Sequence, residues 1–541
     1  MIIKLGTDLI CSTLDAGFNV ICIRPVPNLY YNLHSMTACR ERNMVMPMRL
    51  ISVISLVLLI SLLGWIQPSY SASGPIMQAA ETISGTEMRT YIGPLASEEF
   101  QGRLTGQPGQ MKAAELVAQA FAEFGLIPLG DDRGFFQHFT TPTNVVTGEP
   151  IVELLLDGNV ISYQIGEQYL FRGETGSGDV TAPICFVGYG ITDEKLKYDD
   201  YSGIDATGKW ALSLRGWHPA FPESSFDWAK TGYKVRNAYK HGAVGLILVG
   251  ARANGTVETP TASCLYGLPV EEMHPDFPMV HVGKDFALDL FGSCGWYLPG
   301  IVEMINKGKP QPFDFPAGIK AHVKVEADFK PDAVTANVIG FLPGADPELA
   351  KHAVVVCAHH DHVGYQPGIM FPGADDNASG TVALLAIARA ASRCAEHPAR
   401  SLVFISFTGE EEGLLGSQYF VDNPAWPLKN IDYVINLDMI GQGTTINLWG
   451  GKAFPDLLKL FDKLAGEYDI KVEAFPAYPV SDHGPFVDKG IEGVMLIGGG
   501  EKEYPSLAHH PYVYKPEMIN TKFLEAVARI AFRAAFELAG E

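Results

Sequence analysis

Imidazole and carboxylate side chains follow apolar runs at several places in the second half of the chain. AVVVCA leads into His359-His360-Asp361-His362, SLVFISFTG into Glu410-Glu411-Glu412, YVINL into Asp438, and VMLIG through a glycine turn to His509-His510, while GADDNASG carries Asp375-Asp376. Taken singly, each has an ordinary explanation, such as a solvated face or, for Asp376, a helix N-cap. Histidine and carboxylate without thiolate is the ligand set of catalytic zinc, and manganese or cobalt accept it too. Their joint placement predicts a metal centre.

The elements around these residues must bring them together from distant parts of the chain. From Ala336 onward, apolar runs alternate with helix-forming segments at 381–395, 454–468 and 522–538. This alternation predicts an α/β fold in which a mixed, largely parallel sheet carries helices on both faces. Strands as apolar as these are buried on both sides, and ligands of such sheets collect beyond the carboxyl ends of the strands. The metal centre is therefore expected at that edge.

Five segments resemble, in order and spacing, the metal-site motifs of the M28 family of zinc peptidases. They are CAHHDHVG, GADDNASG, FTGEEEGLLGS, INLDMIG and AHHPYVYKPEMIN. The resemblance implies a zinc-exopeptidase-like fold that binds two Zn²⁺ ions. The metal ligands that it implies are His359, Asp376 as the bridge between the ions, Glu411, Asp438 and His510.

The same resemblance gives supporting roles to two further carboxylates. Glu410 is implied to be the general base, which stays off the metals, takes a proton from the attacking water and passes it to the leaving amine. Asp361, two residues after His359, is implied to accept the imidazole N–H and fix its tautomer. Two divalent ions about 3.5–4 Å apart lower the pKa of bound water toward neutrality and polarise a carbonyl. The register rests on Glu-Glu-x-Gly-Leu-Leu-Gly-Ser, which makes Glu412 the variable position.

The final motif departs from the family pattern Tyr-His-Thr-Pro-x-Asp. His509 occupies the position of a tyrosine that helps to hold the oxyanion, and Tyr514 occupies that of an acidic residue. We take His509 as a candidate hydrogen-bond donor to the oxyanion. The string Ser481-Asp482-His483 also resembles a recurrent family string. Two interpretations of it stay open, namely a structural pair on a loop and a role in lining the cleft.

Two segments outside the metal motifs resemble other parts of the family's architecture. EEFQGRLTGQPGQMKAAELVAQAFAEFGL resembles the region in which a Gly-Arg-x-x-Gly loop precedes the first long helix. Short β-rich runs between 148 and 332 predict a small α+β insert, and YDDYSGIDATGKWALSLRG followed by KVRNAYKHGAVGLILV resembles the protease-associated domain. We predict a leader at 1–73, an insert at 148–332, and a peptidase domain formed by 74–147 and 333–541.

The apolar run LISVISLVLLISLLGWI at 50–66 has the layout of a signal peptide. Three arginines precede it, and small residues around Ala72 follow it. A permanent membrane helix usually needs about 20 apolar residues, which is more than this run supplies. We expect export to the periplasm or the extracellular space, with membrane attachment only through an uncleaved leader.

Composition limits the remaining classes of function. The chain has 541 residues, of which 47% are apolar and 19% charged, as in globular proteins of more than one domain. A net charge of −21 without basic runs disfavours nucleic acid as a partner. The cysteines after the leader are odd in number and lack a CxxC pair, so they do not predict a disulfide framework. A Cys264–Cys294 bridge and buried free thiols both stay open.

Together these features predict an exported two-zinc metallopeptidase that removes N-terminal amino acids from peptides. The alternatives are an M28-like carboxypeptidase, a single-zinc glutaminyl cyclase and a non-catalytic receptor-like homologue. Glu410 beside a complete ligand set favours hydrolysis over cyclisation, and a receptor would be expected to lack a ligand or the base. The sequence contains no GxSxG elbow, which disfavours a serine hydrolase.

Overall fold

The computed structural model describes residues 74–195, 197–216, 218, 230–251, 256–265, 270–307, 311–500 and 515–540. The predicted leader and the predicted site residues His509 and His510 lie outside the described residues. The α-helices are α1 Gly74–Glu81, α2 Gly85–Leu95, α3 Pro108–Glu123, α4 Thr231–Lys240, α5 Lys284–Ser293, α6 Leu298–Asn306, α7 Gly380–Arg393, α8 Leu415–Asp422, α9 Pro455–Gly466, α10 Gly484–Asp488 and α11 Thr521–Gly540. The strands are β1 Ile127–Pro128, β2 Phe136–Leu156, β3 Asn159–Ser162, β4 Tyr169–Leu170, β5 Gly178–Phe186, β6 Thr192–Asp193, β7 Tyr198–Asp199, β8 Trp210–Leu214, β9 Gly245–Val249, β10 Met279–Val282, β11 Phe313–Asp314, β12 Ile319–Leu342, β13 Ala353–His359, β14 Tyr365–Gln366, β15 Ile369–Met370, β16 Ser401–Phe407, β17 Ile431–Leu437, β18 Thr445–Trp449, β19 Lys471–Phe475 and β20 Glu492–Gly499.

The second half of the chain forms a mixed sheet with the strand order β19-β18-β20-β17-β13-β16-β12. The four inner strands β20, β17, β13 and β16 are parallel, whereas β18 and β12 pair antiparallel with their inner neighbours. This confirms the predicted fold class of a largely parallel sheet. The parallel strands point their carboxyl ends to one edge, which is where the metal centre was predicted.

Helices cover both faces of this sheet because alternate residues of each strand point to opposite sides. Val354 and Val356 of β13 belong to a large core that includes residues of α3, α7 and α11. Val355 and Cys357 face the opposite side, where they join a smaller core that includes Phe420 of α8 and residues of α10. All seven residues of β13 are buried, as expected for a strand covered on both sides.

A long antiparallel ribbon of β2 and β12 connects this sheet to the insert. Phe136 lies opposite Val338 at one end of the ribbon, and Leu156 lies opposite Ile319 at the other. The run 336–342, predicted as a short strand, is only the last part of β12, because the preceding residues alternate between buried and more exposed positions instead of forming an apolar run. The predicted domain limits at 148 and 332 fall within the two ribbon strands, and they stay predictions.

The insert contains a second sheet with the order β5-β8-β9-β10-β4, and β12 joins it through β5. Strands β5, β8, β9 and β10 are parallel. One face packs on residues of α5 and α6, and the other packs on residues of α4. The insert is thus a small α+β unit, in agreement with the predicted fold class.

Two sequence predictions on cysteines and membranes can be compared with the described part of the chain. Its cysteines, Cys185, Cys264, Cys294, Cys357 and Cys394, are all free, so the Cys264–Cys294 bridge does not form. Among the described residues, no helix has both the length and the apolar character that crossing a bilayer requires.

Candidate metal centre

The carboxyl edge of the peptidase sheet brings together the predicted site residues that the structure describes. His359 is the last residue of β13, the glutamate run follows β16, and Asp438 directly follows β17. Two groups of candidate ligands form there, each with ligand atoms within 4.8 Å of one another. The first group is His359, Glu410 and Asp438, and the second is His362, Asp376 and Glu411.

The first group surrounds one nitrogen of a buried imidazole. His359 Nε2 lies 3.4 Å from Asp438 Oδ1, 3.7 Å from Asp376 Oδ1 and 3.9 Å from Glu410 Oε2. Zinc binds imidazole nitrogen and carboxylate oxygen at about 2.0–2.2 Å, so ligand atoms around a tetrahedral ion stand roughly 3.3 Å apart. The distances from His359 Nε2 to Asp438 and to Asp376 are therefore close to those expected between two ligand atoms of one zinc ion.

The second group lies on the other side of the Asp376 carboxylate. His362 Nδ1 lies 2.8 Å from Glu411 Oε1 and 3.9 Å from Asp376 Oδ2. The two oxygens of Asp376 thus face different histidines, because Oδ1 is the oxygen nearest His359. A carboxylate shared in this way between two cation positions is suited to bridging. The sequence motifs did not assign His362, although its place three residues after His359 in one polar run could have suggested it.

Asp361 connects the two groups through its two oxygens. Oδ1 lies 3.6 Å from His359 Nδ1, on the side of the ring that faces away from the carboxylates of the first group. Oδ2 accepts hydrogen bonds from the backbone N–H of Glu411 and from the hydroxyl of Thr105, both at 3.2 Å. The buried Asp361 side chain therefore lies where it can fix both the ring of His359 and the start of the glutamate loop.

Arg103 is a site component that sequence reasoning missed. Its buried guanidinium donates hydrogen bonds to four backbone carbonyls, those of Leu95, His360, Pro372 and Gly373. Burial lowers the pKa of Arg103 to about 10, while the nearby carboxylates favour its charged form, so it is a cation at neutral pH. It fastens both ends of the segment 360–373, which carries His362 and leads to Asp376. The available signal was the Gly-Arg-x-x-Gly loop.

Gly102, next to that arginine, is required by the close approach of two backbones. Its φ is +65°, and a Cβ there would collide with the carbonyl oxygen of Gly364. The N–H of Gly364 donates to the oxygen of Gly102 at 2.9 Å, and the N–H of His362 donates to the oxygen of Arg103 at 3.0 Å. The metal-site segment is therefore paired along its backbone with the loop before α3.

The insert also contacts this segment. The side-chain amide of Gln366 accepts from the backbone N–H of Phe171 at 3.0 Å and donates to its carbonyl at 2.8 Å. Cys264 Sγ lies 3.9 Å from the carbonyl oxygen of His362. Residues of the insert therefore support the segment that holds His362.

The neighbouring carboxylates Asp375 and Asp376 serve different purposes. Asp375 Oδ1 accepts from the N–H of Gly441 at 2.6 Å and from the hydroxyl of Ser379 at 3.2 Å, which joins the start of α7 to the loop after β17. Asp376 faces the two histidines instead. The ordinary explanation of Asp376 as a helix N-cap does not apply, because the helix that follows starts at Gly380 and Ser379 precedes it.

Ser481, Asp482 and His483 are fully buried near the first group. The Ser481 hydroxyl accepts from the side-chain amide of Asn436 at 2.7 Å. Burial raises the pKa of Asp482 to about 7, although the nearby His359 opposes that rise. Burial lowers the pKa of His483 to about 4. The string lies within the protein beside the site, and its functional role stays a prediction.

The site contains more acidic than basic groups. Burial raises the pKa of Glu410 well above its ordinary value; His359 opposes that rise, and Asp438 and Glu411 add to it. Burial alone would lower the pKa of His359, but the carboxylates of Glu410 and Asp438 raise it well above its ordinary value. Burial of several carboxylates is costly unless cations accompany them. A donor set of imidazoles and carboxylates, with this charge, fits divalent zinc.

Comparison with known proteins agrees with this fold. Residues 337–535 match the profile of peptidase family M28, and residues 177–290 match that of the PA domain. A probable leucine aminopeptidase of Arthroderma otae is 32% identical over 271 residues, which cover 49% of this chain and 70% of that protein. The chain belongs to peptidase family M28 and contains an inserted PA domain, as the sequence motifs predicted.

Further relatives and solved structures extend the comparison over most of the chain. Aminopeptidase YwaD of Bacillus subtilis is 26% identical over 465 residues, which cover 82% of each chain. The chain spans 63% of the length of a probable leucine aminopeptidase of Arthroderma benhamiae, at 31% identity over 226 residues.

Two solved structures share the fold. The aminopeptidase from Aneurinibacillus sp. strain AM-1 aligns with a TM-score of 0.59 at 22% identity, covering 86% of this chain and 96% of that one. BSAP, a zinc aminopeptidase from Bacillus subtilis, aligns with a TM-score of 0.58 at 22% identity, covering 84% and 95%.

Proposed function

We propose that the chain is an exported, zinc-dependent aminopeptidase that uses two ions to hydrolyse the N-terminal peptide bond. The observation that carries this proposal is the pair of histidine–carboxylate groups on either side of Asp376. Its relatives support it, since YwaD is an aminopeptidase and BSAP is a zinc aminopeptidase. The signal-peptide layout at 50–66 supports export to the periplasm or the extracellular space.

The ligand roles follow from which atoms face one another. His359 and Asp438 would hold one ion, Glu411 would hold the other, and Asp376 would bridge them. His510 is retained as a further ligand on the strength of its motif. When bound, two such ions lower the pKa of water toward neutrality and polarise the scissile carbonyl.

Glu410 is proposed as the general base. Its side chain is 13% exposed, more than that of His359 or Asp438, so it is the carboxylate of the first group that a water molecule can best reach. A carboxylate that water can reach, and that stays off the ions, can serve as a general base. Glu410 would take the proton of the attacking water and then give it to the departing amine.

Two groups would assist Glu410. Asp361 would hold the ring of His359 in one orientation and keep its tautomer constant. His509 is proposed, from its motif position, to donate a hydrogen bond to the oxyanion that forms on the substrate carbonyl.

An assay with three blocked or free peptides tests this function. We expect cleavage of peptides with a free N-terminus, whether or not the C-terminus is amidated, and no cleavage when the N-terminus is acetylated. A chelator should abolish the activity, and added zinc should restore it.

Other outcomes of the same assay would contradict the proposal. Cleavage that requires a free C-terminus would indicate a carboxypeptidase, and ring closure of N-terminal glutamine without hydrolysis would indicate a glutaminyl cyclase. A zinc-loaded chain that turns over none of these peptides would indicate a receptor-like homologue.

A further inference from the structure

His362 lies in the second group of candidate ligands, although the motif resemblance gives it no role. We propose that His362 binds the second ion directly through Nδ1, alongside Glu411 and Asp376. This inference rests on the proposed two-ion centre, and it adds a protein ligand from the segment after β13.

The position of the His362 ring is the first argument. Nδ1 lies 2.8 Å from Glu411 Oε1, which is a hydrogen-bond distance, and 3.9 Å from Asp376 Oδ2, and the side chain is only 1% exposed. His362 approaches Oδ2 of Asp376, whereas His359 approaches Oδ1. The two imidazoles therefore stand on opposite sides of one carboxylate, as ligands of two neighbouring ions would.

The restraint on His362 is the second argument, because a metal ligand is most effective when its surroundings fix it. Its backbone N–H donates to the carbonyl of Arg103 at 3.0 Å. A Cβ added to Gly373 would stand 2.6 Å from Cδ2 of the His362 ring and 2.6 Å from Nη2 of Arg103. The glycine therefore lets the backbone pack directly against this ring.

A nearby histidine shows what a purely structural imidazole looks like in the same segment. The side-chain amide of Gln110 donates a hydrogen bond to His360 Nε2 at 2.8 Å. Nδ1 of His360 therefore carries the proton, and it donates to the hydroxyl of Ser406 at 2.9 Å. His360 is satisfied by neutral partners, whereas His362 faces two carboxylates.

Titration of the metal-free full-length chain with zinc tests the assignment. Calorimetry measures the number and affinity of the bound ions, and the test does not depend on enzymatic activity. We expect the wild-type chain to bind two ions. His362→Ala should weaken one binding event by about 100-fold or more, since even loss of a group that only supports a ligand costs about 10–100-fold. The matched control is His360→Asn, which should leave both events within about twofold of wild type.

Retention of both ions at wild-type affinity in His362→Ala would overturn the assignment. Equal weakening in His360→Asn would also overturn it, because the effect would then come from disturbance of the segment. His362→Gln, which keeps a polar side chain of similar length, repeats the test if the alanine variant does not fold.

A zinc-soaked crystal of the wild-type chain gives an independent reading without any substitution. Zinc within about 2.1 Å of His362 Nδ1 supports the assignment, and a separation above about 3 Å ends it. A wild-type chain that binds only one ion would refute the two-ion proposal. The distance from that ion to His362 Nδ1 would still decide whether His362 is a ligand.

Discussion

The carboxyl edges of the two parallel sheets in this chain differ in how their charges are balanced. In the insert, Arg215 follows β8 and lies 3.8 Å from Glu258, so a cation and an anion meet there. His281 on β10 is fully buried, and burial together with the nearby Arg172 and Arg215 lowers its pKa well below the ordinary value. In the peptidase sheet, the corresponding edge collects carboxylates around two histidines.

This difference teaches that the parallel-sheet plan alone does not create the site. Both sheets bury their parallel strands between layers of side chains, but the residues placed after the strands decide the chemistry. At the peptidase edge, Arg103 is a buried cation, and its guanidinium donates its hydrogen bonds to backbone carbonyls and not to carboxylates. Bound divalent ions would supply the positive charge that the acidic groups of this edge require.

The largest effect is expected from Glu410→Gln. An amide cannot accept the proton of water, so kcat should fall by about 10³-fold or more while the zinc content stays unchanged. The matched control is Glu412→Gln. Glu412 is buried and belongs to neither candidate ligand group among the described residues, so replacing its carboxylate by the isosteric amide should change activity little.

Full activity in Glu410→Gln would show that the base is misassigned. A loss in Glu412→Gln as large as that in Glu410→Gln would instead show that the register of the glutamate run is shifted. Steady-state kinetics with zinc analysis of the same samples distinguishes these results.

The next effect concerns the carboxylate that the two ions are proposed to share. Asp376→Asn should weaken zinc binding by about 100-fold or more, because both ion positions lose a charged ligand. Asp375→Asn is the control, since an amide oxygen can still accept from the N–H of Gly441. Competition with a chromogenic chelator measures both affinities, and equal values for the two variants would contradict the distinction drawn between these neighbours.

A third prediction compares a buried cation of the peptidase edge with an ordinary surface cation. Arg103→Met should lower the free energy of unfolding by about 3 kcal/mol, because it leaves several buried carbonyls without a donor. Arg389→Met removes a partly exposed ion pair with Glu87 and should cost about 1 kcal/mol or less. Urea denaturation of the metal-free variants measures both, and a cost for Arg103 no larger than that for Arg389 would count against its anchoring role.

The smallest effect belongs to the insert, where a histidine of β12 balances carboxylates of both adjacent strands. His322 lies 2.9 Å from Glu153 of β2 and 2.9 Å from Asp179 of β5. Burial acts to lower its pKa, but the two carboxylates outweigh burial and raise it above 6.5. The stabilisation is therefore complete below about pH 6.5 and is lost as the pH rises through the higher folded-state value.

Because His322 is about one-fifth exposed, the effect should be at most about 1 kcal/mol. Thermal unfolding of the wild-type chain and His322→Gln at pH 6 and pH 9 measures it. The two proteins should differ more at pH 6 than at pH 9, and a difference that grows with pH would contradict the proposed ion pairs.

The sequence predicted the sheet, its helices and the meeting, at one edge, of the six predicted site residues that the structure describes. These features follow from local patterns, namely apolar runs, helical spacing and the residue that stands next after a strand. The role of His362 was missed because the direction of its ring depends on the path of the backbone through residues 360–373. Arg103 fixes this path, and it lies 257 residues before His360 in the sequence, so no local pattern reveals the contact. The β2–β12 ribbon was missed for a similar reason, since its pairing joins distant segments.

The zinc content of the purified full-length chain tests the central claim most directly. After dialysis against metal-free buffer, elemental analysis should find about two zinc ions per chain, and prior treatment with a strong chelator should remove both. A folded chain that contains no bound divalent ion and takes none up from solution would contradict the account, because the acidic edge would then be balanced in some other way.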